Sequence, residues 1–279
     1  MKPDFLVIGA PKAATTALCY HLARHPEICF SRPKETFFFS DDTKYQQGWP
    51  WYESLFNGWE QSTAVGEGTT HYAATGTFPN MLPRIVEHVP DAKIIYIVRE
   101  PLRRMQSMWM EHRSQGIEPH PFNHAVLDNP IYLDTSMYWR QLSAYREHYD
   151  DDRILLLFYD DYAADANAVL ARCFRFLGVD PEVVFDDANI PRYTSDTKRE
   201  DFAVTNCLRR SVPGFLALRD RSPTFLRRAA KRLFKRPMQS APEWDPKVKG
   251  DIVQRLRPDK HAFLAYCDYP NDFWEAPAE

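Results

Sequence analysis

The sequence predicts an α/β fold in which a parallel β-sheet is covered by helices on both faces. Short apolar segments recur along the chain without alternating polar residues, which is typical of strands buried on both faces. Segments with helical spacing lie between them, and this alternation favours a parallel sheet. Ligands on such sheets bind at the carboxyl ends of the strands, so residues that directly follow a strand are the first candidates for a functional site.

The elements are expected in a regular order. Apolar runs predict strands at residues 4–9, 28–30, 63–67, 93–98 and 153–158. Helical spacing predicts helices at residues 15–25, 78–89, 101–115 and 165–177, with further helices in part of 121–149. Gly178 directly follows the last of these, and a glycine in that position is typical of a helix C-terminus.

The composition indicates one domain, residues 1–279, with a sizeable apolar core. Hydrophobic residues make up 44% of the chain, and the formal net charge of −3 excludes a general attraction to nucleic acid. We see neither a signal peptide nor an apolar run of the ~20 residues that cross a membrane, so we expect a cytoplasmic protein without a transmembrane segment. The five cysteines are scattered, which argues against a disulfide framework, and no histidines have the spacing of metal ligands.

A turn of small residues follows the first predicted strand. It reads Gly9-Ala10-Pro11-Lys12-Ala13-Ala14-Thr15-Thr16 and leads into a predicted helix. Backbone N–H groups at a helix start, the helix dipole, a lysine and two hydroxyls all favour an anion. The nucleotide-triphosphate loop is excluded because Lys12 follows Gly9 by three residues and no Gly-Lys pair closes the turn. The dinucleotide pattern G-x-G-x-x-G is also absent, which leaves a site for a phosphate-like group.

This turn resembles the 5′-phosphosulfate loop of the sulfotransferases that use 3′-phosphoadenosine 5′-phosphosulfate (PAPS). The resemblance implies the sulfotransferase fold, a P-loop-like three-layer fold with a central parallel sheet. It also implies that Lys12, Ala13, Ala14, Thr15 and Thr16 bind the cofactor, and that Lys12 stabilises charge on the bridging oxygen during catalysis. The family form has a glycine at position 14, and we expect alanine to fit there if the backbone is helical.

A second motif follows the strand predicted at 93–98. It contains Arg99, then Arg103, Arg104 and Ser107, and it resembles the sulfotransferase segment that binds the 3′-phosphate of PAPS. The resemblance assigns Arg99 and Ser107 to that phosphate. A guanidinium can bind phosphate in a fork, and a serine one turn into a helix adds a hydroxyl. Arg103 and Arg104 are expected on the surface or in supporting positions.

A third segment points to the carbohydrate-type sulfotransferases. Residues 34–39 read Lys-Glu-Thr-Phe-Phe-Phe and resemble the K-E-x-x-F-F segment of that group, which includes the heparan sulfate O- and N-sulfotransferases. In those relatives the glutamate is the proposed general base, and this implies the same role for Glu35. His71 or His112 is the alternative base, since related cytosolic-type enzymes use histidine.

Residues 65–72 resemble the E-K-x-P-x-Y segment of the same group, with two departures. Gly68 replaces the family lysine and Thr70 replaces the family proline, so a lysine near the sulfuryl acceptor is expected to be absent. Glu67 has two interpretations. It is either a further candidate base or a strand-end carboxylate that holds a loop.

Basic residues closer to the C-terminus form a further candidate site. Lys235 and Arg236 lie where relatives have a basic K-G-R loop that closes over the cofactor phosphates, which implies cofactor contact for both. The longer basic stretch 219–236 has three interpretations: a solvated helix face, a rim that receives an anionic acceptor or the cofactor phosphates, or a helix on a membrane surface.

Together the motifs predict an enzyme that moves a sulfuryl group from PAPS to a hydroxyl or amine of a carbohydrate or small molecule. The predicted reaction is an in-line displacement that needs no metal and releases adenosine 3′,5′-bisphosphate. One alternative is a kinase with a variant phosphate loop, which would bind magnesium-ATP. Another is a member of the fold that binds nucleotide without turnover. Nucleic-acid binding through residues 219–236 is a weaker alternative, because no reading motif accompanies the charge.

Overall fold

The centre of the fold is a five-stranded parallel sheet. The computed structural model describes residues 1–190 and 241–275 in full, together with the backbone of residues 199–201 and 235–237. The strands are β1 (Phe5–Gly9), β2 (Ile28–Phe30), β3 (Ala64–Gly68), β4 (Lys93–Val98) and β5 (Ile154–Phe158). They lie in the order β2-β3-β1-β4-β5, and every neighbouring pair is parallel. The parallel sheet predicted from the uninterrupted apolar runs is therefore confirmed.

Helices flank this sheet. In chain order they are α1 (Thr15–Leu22), α2 (Asp42–Tyr45), α3 (Trp49–Glu53), α4 (Met81–His88), α5 (Pro101–Gln115), α6 (Phe122–Asp128), α7 (Pro130–Asp134), α8 (Tyr138–Arg146), α9 (Tyr159–Ala164), α10 (Ala166–Leu177) and α11 (Pro246–Tyr266). The helix predicted at 15–25 ends earlier, at Leu22, because His25 precedes Pro26 and a residue before proline avoids the helical conformation. Gly178 ends α10 in a left-handed conformation, φ 80°, as predicted.

The strand order brings the candidate motifs to one edge of the sheet. β1 lies between β3 and β4, so the segments that follow these three strands leave the sheet side by side. The N–H of Ala10 donates to the carbonyl of Ile97 at 2.6 Å, which joins the turn after β1 to the end of β4. Strands β2 and β3 lie on one side of β1, and β4 and β5 lie on the other side. In an open α/β sheet, ligands bind at the point where the order of the strands changes direction in this way.

Helix α5 starts immediately after this edge. The side chain of Glu100 caps it by accepting from the N–H groups of Leu102 and Arg103 at 2.9 and 2.6 Å. Pro101 occupies the first helical position, where its missing N–H costs nothing. Gly116 ends the helix with φ 72°. The start of α5 is thereby fixed against the end of β4.

Two short strands, β6 (Arg199–Asp201) and β7 (Lys235–Pro237), form an antiparallel pair, and β6 lies against α5. The side chains of Lys235 and Arg236 lie outside the described residues, as does the stretch 219–234, so the predictions for them stay predictions. Within the described part of the chain, no helix is both long and apolar enough to cross a membrane.

Candidate active site

The turn between β1 and α1 presents the start of a helix. The first N–H groups of an α-helix have no partner within the helix, and Ala14, the N-cap residue, has no side chain that could accept from them. No acidic residue lies in the first turn. Ala13 and Thr15 are buried in the turn, whereas Thr16 is exposed. The geometry suits an anion, which would accept from these N–H groups at the positive end of the helix dipole.

Ala14 differs from the expectation. Its backbone is left-handed, with φ 67° and ψ 14°, so the helical backbone under which alanine was expected to fit is not present at this position. Lys12, two residues earlier, also has a positive φ, 68°. An L-residue in this conformation costs about 1–2 kcal/mol, which glycine avoids. This gives a physical reason for the glycine of the family form and identifies strain in the turn of this chain.

The ammonium of Lys12 forms an ion pair with a carboxylate on α5. Nζ of Lys12 lies 2.9 Å from Oε2 of Glu111, and the two side chains are 25% and 32% exposed. Gln115 donates to the other carboxylate oxygen at 2.7 Å. The half-buried Ser107 lies one turn before Glu111 and therefore on the same face of α5. Sequence reasoning missed Glu111, for which the only signal is this four-residue spacing from Ser107.

Arg99 connects the two motifs directly. Its Nη1 donates to the carbonyl oxygen of Lys12 at 3.2 Å, and its guanidinium lies 4.3 Å from the centre of the Tyr159 ring. The hydroxyl of Tyr138 donates to the carbonyl of Arg99 at 2.6 Å. Residues predicted for the two ends of the cofactor thus meet where β1 and β4 end.

The next two arginines have different environments. Arg103 is exposed, whereas Arg104 is fully buried. Arg104 donates to the carbonyl of Tyr132 at 2.6 Å and to the hydroxyl of Ser136 at 2.6 and 2.9 Å. Arg104 therefore holds α5 against the segment 132–136.

The carboxylate of Glu35 lies at the end of β3. Its Oε2 accepts from the backbone N–H and the hydroxyl of Thr70, both at 3.1 Å, and its Oε1 lies 2.6 Å from Nζ of Lys34. Burial lowers the pKa of Lys34, but Cys19, Glu35 and Glu67 nearby outweigh this effect, so the pKa is raised and the lysine stays charged. The side chain of Glu35 is 24% exposed, so the carboxylate is both oriented and accessible, as a general base requires.

Gly68 leaves no space for a side chain. A Cβ at this position would lie 2.5 Å from Sγ of Cys19 and 3.3 Å from Cζ of Phe30. Burial raises the pKa of the Cys19 thiol to about 12, so the group that fills this space is neutral. The space that a side chain at position 68 would need is therefore occupied by the Cys19 thiol and the Phe30 ring.

Glu67 is completely buried and accepts four hydrogen bonds from hydroxyl groups. Tyr52 and Tyr72 donate to its Oε1, both at 2.8 Å, and Thr36 and Thr69 donate to its Oε2 at 2.8 and 2.7 Å. Burial raises the pKa of Glu67, and the hydrogen bonds from these four residues oppose the rise. A carboxylate without exposure cannot reach an acceptor, so the geometry favours the loop-holding interpretation.

The two alternative bases are partly buried histidines. The ring of His71 stacks on Phe78 with 4.4 Å between ring centres, and Nδ1 of His112 lies 3.1 Å from the hydroxyl of Tyr132. Burial lowers the pKa of both His71 and His112, so each is neutral at neutral pH. A neutral imidazole can accept a proton, and His71 directly follows Thr70, which binds Glu35. His71 therefore stays the closer alternative.

The described residues also include a cleft that lies away from these side chains. A cleft of 440 Å³ at the opposite, amino end of the strands is lined by Lys2, Asp4 and Lys93 among others, and neither motif contributes to it. No group of three or more His, Cys, Asp or Glu side chains in the described ranges could hold a metal ion. The carboxyl ends of β1, β3 and β4 therefore form the candidate active site.

Known proteins provide an independent comparison. A family model for the sulfotransferase domain matches residues 2–209. The membrane-associated sulfotransferase kil1 of Dictyostelium discoideum is 30% identical over 142 residues, covering 48% of this chain and 29% of that protein. Mouse heparan sulfate glucosamine 3-O-sulfotransferase 3A1 is 26% identical over 186 residues, covering 63% of this chain and 46% of that protein. The chain spans less than half the length of both curated relatives.

A solved structure shares the overall fold. The crystal structure of a sulfotransferase from Alicyclobacillus acidocaldarius matches with a TM-score of 0.70 and 20% identity, covering 99% of this chain and all of that one. The family match includes the turn after β1 and the segment from Arg99 to Ser107. The chain therefore belongs to the sulfotransferase family of enzymes and has the sulfotransferase fold.

Proposed function

We propose that this chain transfers a sulfuryl group from PAPS to a hydroxyl or amine group of a carbohydrate or small molecule. The hydrogen bond between Arg99 and the carbonyl of Lys12 carries the proposal, because it brings the two cofactor motifs together. PAPS is anionic at both its 5′ and 3′ ends. An uncapped helix start, an ammonium, a guanidinium and nearby hydroxyls form a donor set that fits such a nucleotide.

Each cofactor residue has a proposed role. The N–H groups of residues 13–16 and the ammonium of Lys12 bind the 5′ end, and Lys12 stabilises the negative charge that builds on the bridging oxygen. Arg99 and Ser107 bind the 3′-phosphate, which distinguishes PAPS from nucleotides without it. Lys235 and Arg236 are also proposed to contact the cofactor phosphates. PAPS itself supplies the activated sulfuryl group.

Glu35 is proposed as the general base. Its carboxylate takes the proton of the acceptor hydroxyl or amine as the new bond to sulfur forms. The bond between sulfur and the bridging oxygen breaks, and its electron pair leaves on adenosine 3′,5′-bisphosphate. Such base catalysis contributes about 10²–10⁴-fold. The charged Lys34 beside Glu35 and the hydrogen bonds from Thr70 hold the carboxylate in place.

The acceptor is proposed to be a sugar hydroxyl in the first instance. The Lys34–Phe39 segment resembles the carbohydrate-type group, and a curated relative is named as a 3-O-sulfotransferase of heparan sulfate glucosamine. Small-molecule hydroxyls and amines are the wider class. We propose that residues 1–279 act as one catalytic domain, with no metal in the reaction.

A transfer assay tests this proposal. Radiolabelled PAPS is incubated with the protein and with heparan sulfate fragments, a chito-oligosaccharide and a simple phenol as acceptors. We expect a labelled product with at least one acceptor, its loss in Lys12→Ala, and a large loss of kcat in Glu35→Gln. Full activity of Glu35→Gln would refute the base assignment. Phosphate transfer from magnesium-ATP without sulfuryl transfer would refute the proposed reaction.

A further inference from the structure

We propose that Glu67 is a positioning residue for Glu35 and acts through three hydroxyl groups that connect its buried carboxylate to the loop of the candidate base. The proposal rests on the proposed function of Glu35 as the general base. Glu67 lies on β3 and makes no contact with solvent, so its effect on the reaction would be indirect.

Hydroxyl groups saturate the hydrogen-bonding capacity of the Glu67 carboxylate. Its two oxygens accept four hydroxyl hydrogen bonds at 2.7–2.8 Å, from the side chains of Thr36, Tyr52, Thr69 and Tyr72. A hydroxyl has one hydrogen to donate and two lone pairs with which to accept. An ionised carboxylate accepts and never donates, so it sets the direction of all four hydrogen bonds.

Three of these hydroxyls also accept hydrogen bonds from the backbone of the loop that follows Thr36. The N–H groups of residues 37, 38 and 39 donate to the hydroxyl oxygens of Thr69, Thr36 and Tyr72 at 3.4, 3.2 and 3.4 Å. Three successive backbone groups of one loop are thus bound by three hydroxyls that all donate to one carboxylate. Glu67 therefore specifies the backbone of residues 37–39 without touching it.

The network holds the backbone around Thr36 in an unusual conformation. Glu35 and Phe37 have positive φ angles, 64° and 55°, on either side of the fully buried Thr36. Bulky side chains rarely adopt this conformation, and it persists only where the surrounding structure enforces it. The hydrogen bonds of residues 36–39 to the Glu67 network are such surroundings. They turn the chain so that Glu35 reaches Thr70 and Lys34.

Two side-chain oxygens that only accept are essential to this arrangement. A glutamine at this position would place an N–H₂ group against hydroxyls that now donate to an oxygen. At least one of these buried O–H groups would then lack an acceptor, or would turn away from its backbone partner. Burying the carboxylate instead of an apolar side chain is therefore explained by the loop that it orders.

Two single substitutions separate positioning from stability. Thr36→Val is nearly isosteric and removes a hydroxyl that bonds both Glu67 and the N–H of Phe38. Tyr52→Phe removes a hydroxyl that bonds Glu67 at 2.8 Å, and among the described residues this hydroxyl accepts from no backbone N–H of the loop. Both variants lose one hydrogen bond to the same carboxylate, so Tyr52→Phe is the matched control. Thr36→Ser restores the hydroxyl.

The readouts are kcat, KM for the acceptor, the melting temperature and the affinity for adenosine 3′,5′-bisphosphate. We expect Thr36→Val to lower kcat about 10–100-fold, since small misplacements of a reacting group have effects of up to about 10². Tyr52→Phe and Thr36→Ser are expected to retain kcat within about threefold. All three variants should bind adenosine 3′,5′-bisphosphate like the wild type, which shows that the fold is intact. Equal kcat values for Thr36→Val and Tyr52→Phe would overturn the proposal.

A double variant separates failure of the positioning role from failure of the base assignment. If the network acts through Glu35, then Thr36→Val should cause no further loss of kcat in a Glu35→Gln background. An additional loss of the full size in that background would contradict the proposal. Full activity of Glu35→Gln alone would refute the base assignment instead, whereas an inactive Glu35→Gln with an active Thr36→Val would refute only the positioning role.

Discussion

The ion pair between Lys12 and Glu111 makes a quantitative prediction about cofactor affinity. In the structure, the lysine proposed to bind the 5′ end of the cofactor is paired with a carboxylate at 2.9 Å. Binding of a 5′-phosphate requires the ammonium to leave that carboxylate or to share it. Glu111→Gln removes the charge and keeps the shape of the side chain, so it should strengthen the binding of adenosine 3′,5′-bisphosphate.

The size of the effect follows from the exposure of the pair. Ion pairs at protein surfaces contribute about 0.2–1 kcal/mol, and this one is only 25% and 32% exposed, which places it in the upper part of that range. Releasing about 0.5–1 kcal/mol corresponds to a roughly two- to fivefold lower Kd. Salt screens such pairs, so the gain should shrink as ionic strength rises.

Isothermal titration calorimetry with adenosine 3′,5′-bisphosphate measures this change. The control is the same substitution in a Lys12→Met background, where no ion pair exists to be broken. We expect Glu111→Gln to tighten binding in the wild-type background and to have a smaller effect in Lys12→Met. Unchanged or weaker binding by Glu111→Gln would refute the reasoning, and so would an equal gain in both backgrounds.

Three further predictions concern stability. Ala14→Gly should raise the free energy of unfolding, measured in urea, by roughly 0.5–1 kcal/mol, because it removes a left-handed alanine that costs about 1–2 kcal/mol but adds about 0.4–1 kcal/mol of entropy to the unfolded chain. A lower free energy of unfolding would contradict the left-handed conformation. Gly68→Ala should cost about 1–3 kcal/mol and be partly rescued by Cys19→Ala, because a Cβ at position 68 meets Sγ at 2.5 Å; absence of rescue would contradict this. Burial raises the pKa of Asp259 to about 6, so the folded state favours the protonated carboxyl. As the pH rises from 4 to 7, the wild type should therefore lose up to about 3 kcal/mol of unfolding free energy relative to Asp259→Asn. A difference that stays constant with pH would contradict the raised pKa.

The sheet was predictable because its strands are uninterrupted apolar runs. The strands predicted at 28–30 and 93–98 have the observed bounds, since each run is closed by polar or turn-forming residues. The helix at 101–115 was equally clear, with Pro101 at its start and Gly116 at its end. Both cofactor motifs lie next to such elements, so their position at the carboxyl edge followed from the parallel arrangement.

The contacts within the site were not predictable, because they depend on the order of the strands. Glu111 is 99 residues from Lys12, and the two meet only because β4 lies beside β1. The network around Glu67 draws hydroxyls from Thr69, which directly follows β3, and from residues 36, 52 and 72, and no local pattern shows that they converge. The left-handed backbone of Ala14 was missed because alanine gives no signal for it.

The central claim is that the joined motifs bind the nucleotide of PAPS. Its most direct test is calorimetric titration of the wild type, Arg99→Ala and the exposed neighbour Arg103→Ala with adenosine 3′,5′-bisphosphate, with adenosine 5′-monophosphate and magnesium-ATP as comparison ligands. We predict tight binding that requires the 3′-phosphate, a large loss of affinity in Arg99→Ala and wild-type affinity in Arg103→Ala. Equal binding of adenosine 5′-monophosphate, a preference for magnesium-ATP, or unchanged affinity in Arg99→Ala would contradict the account.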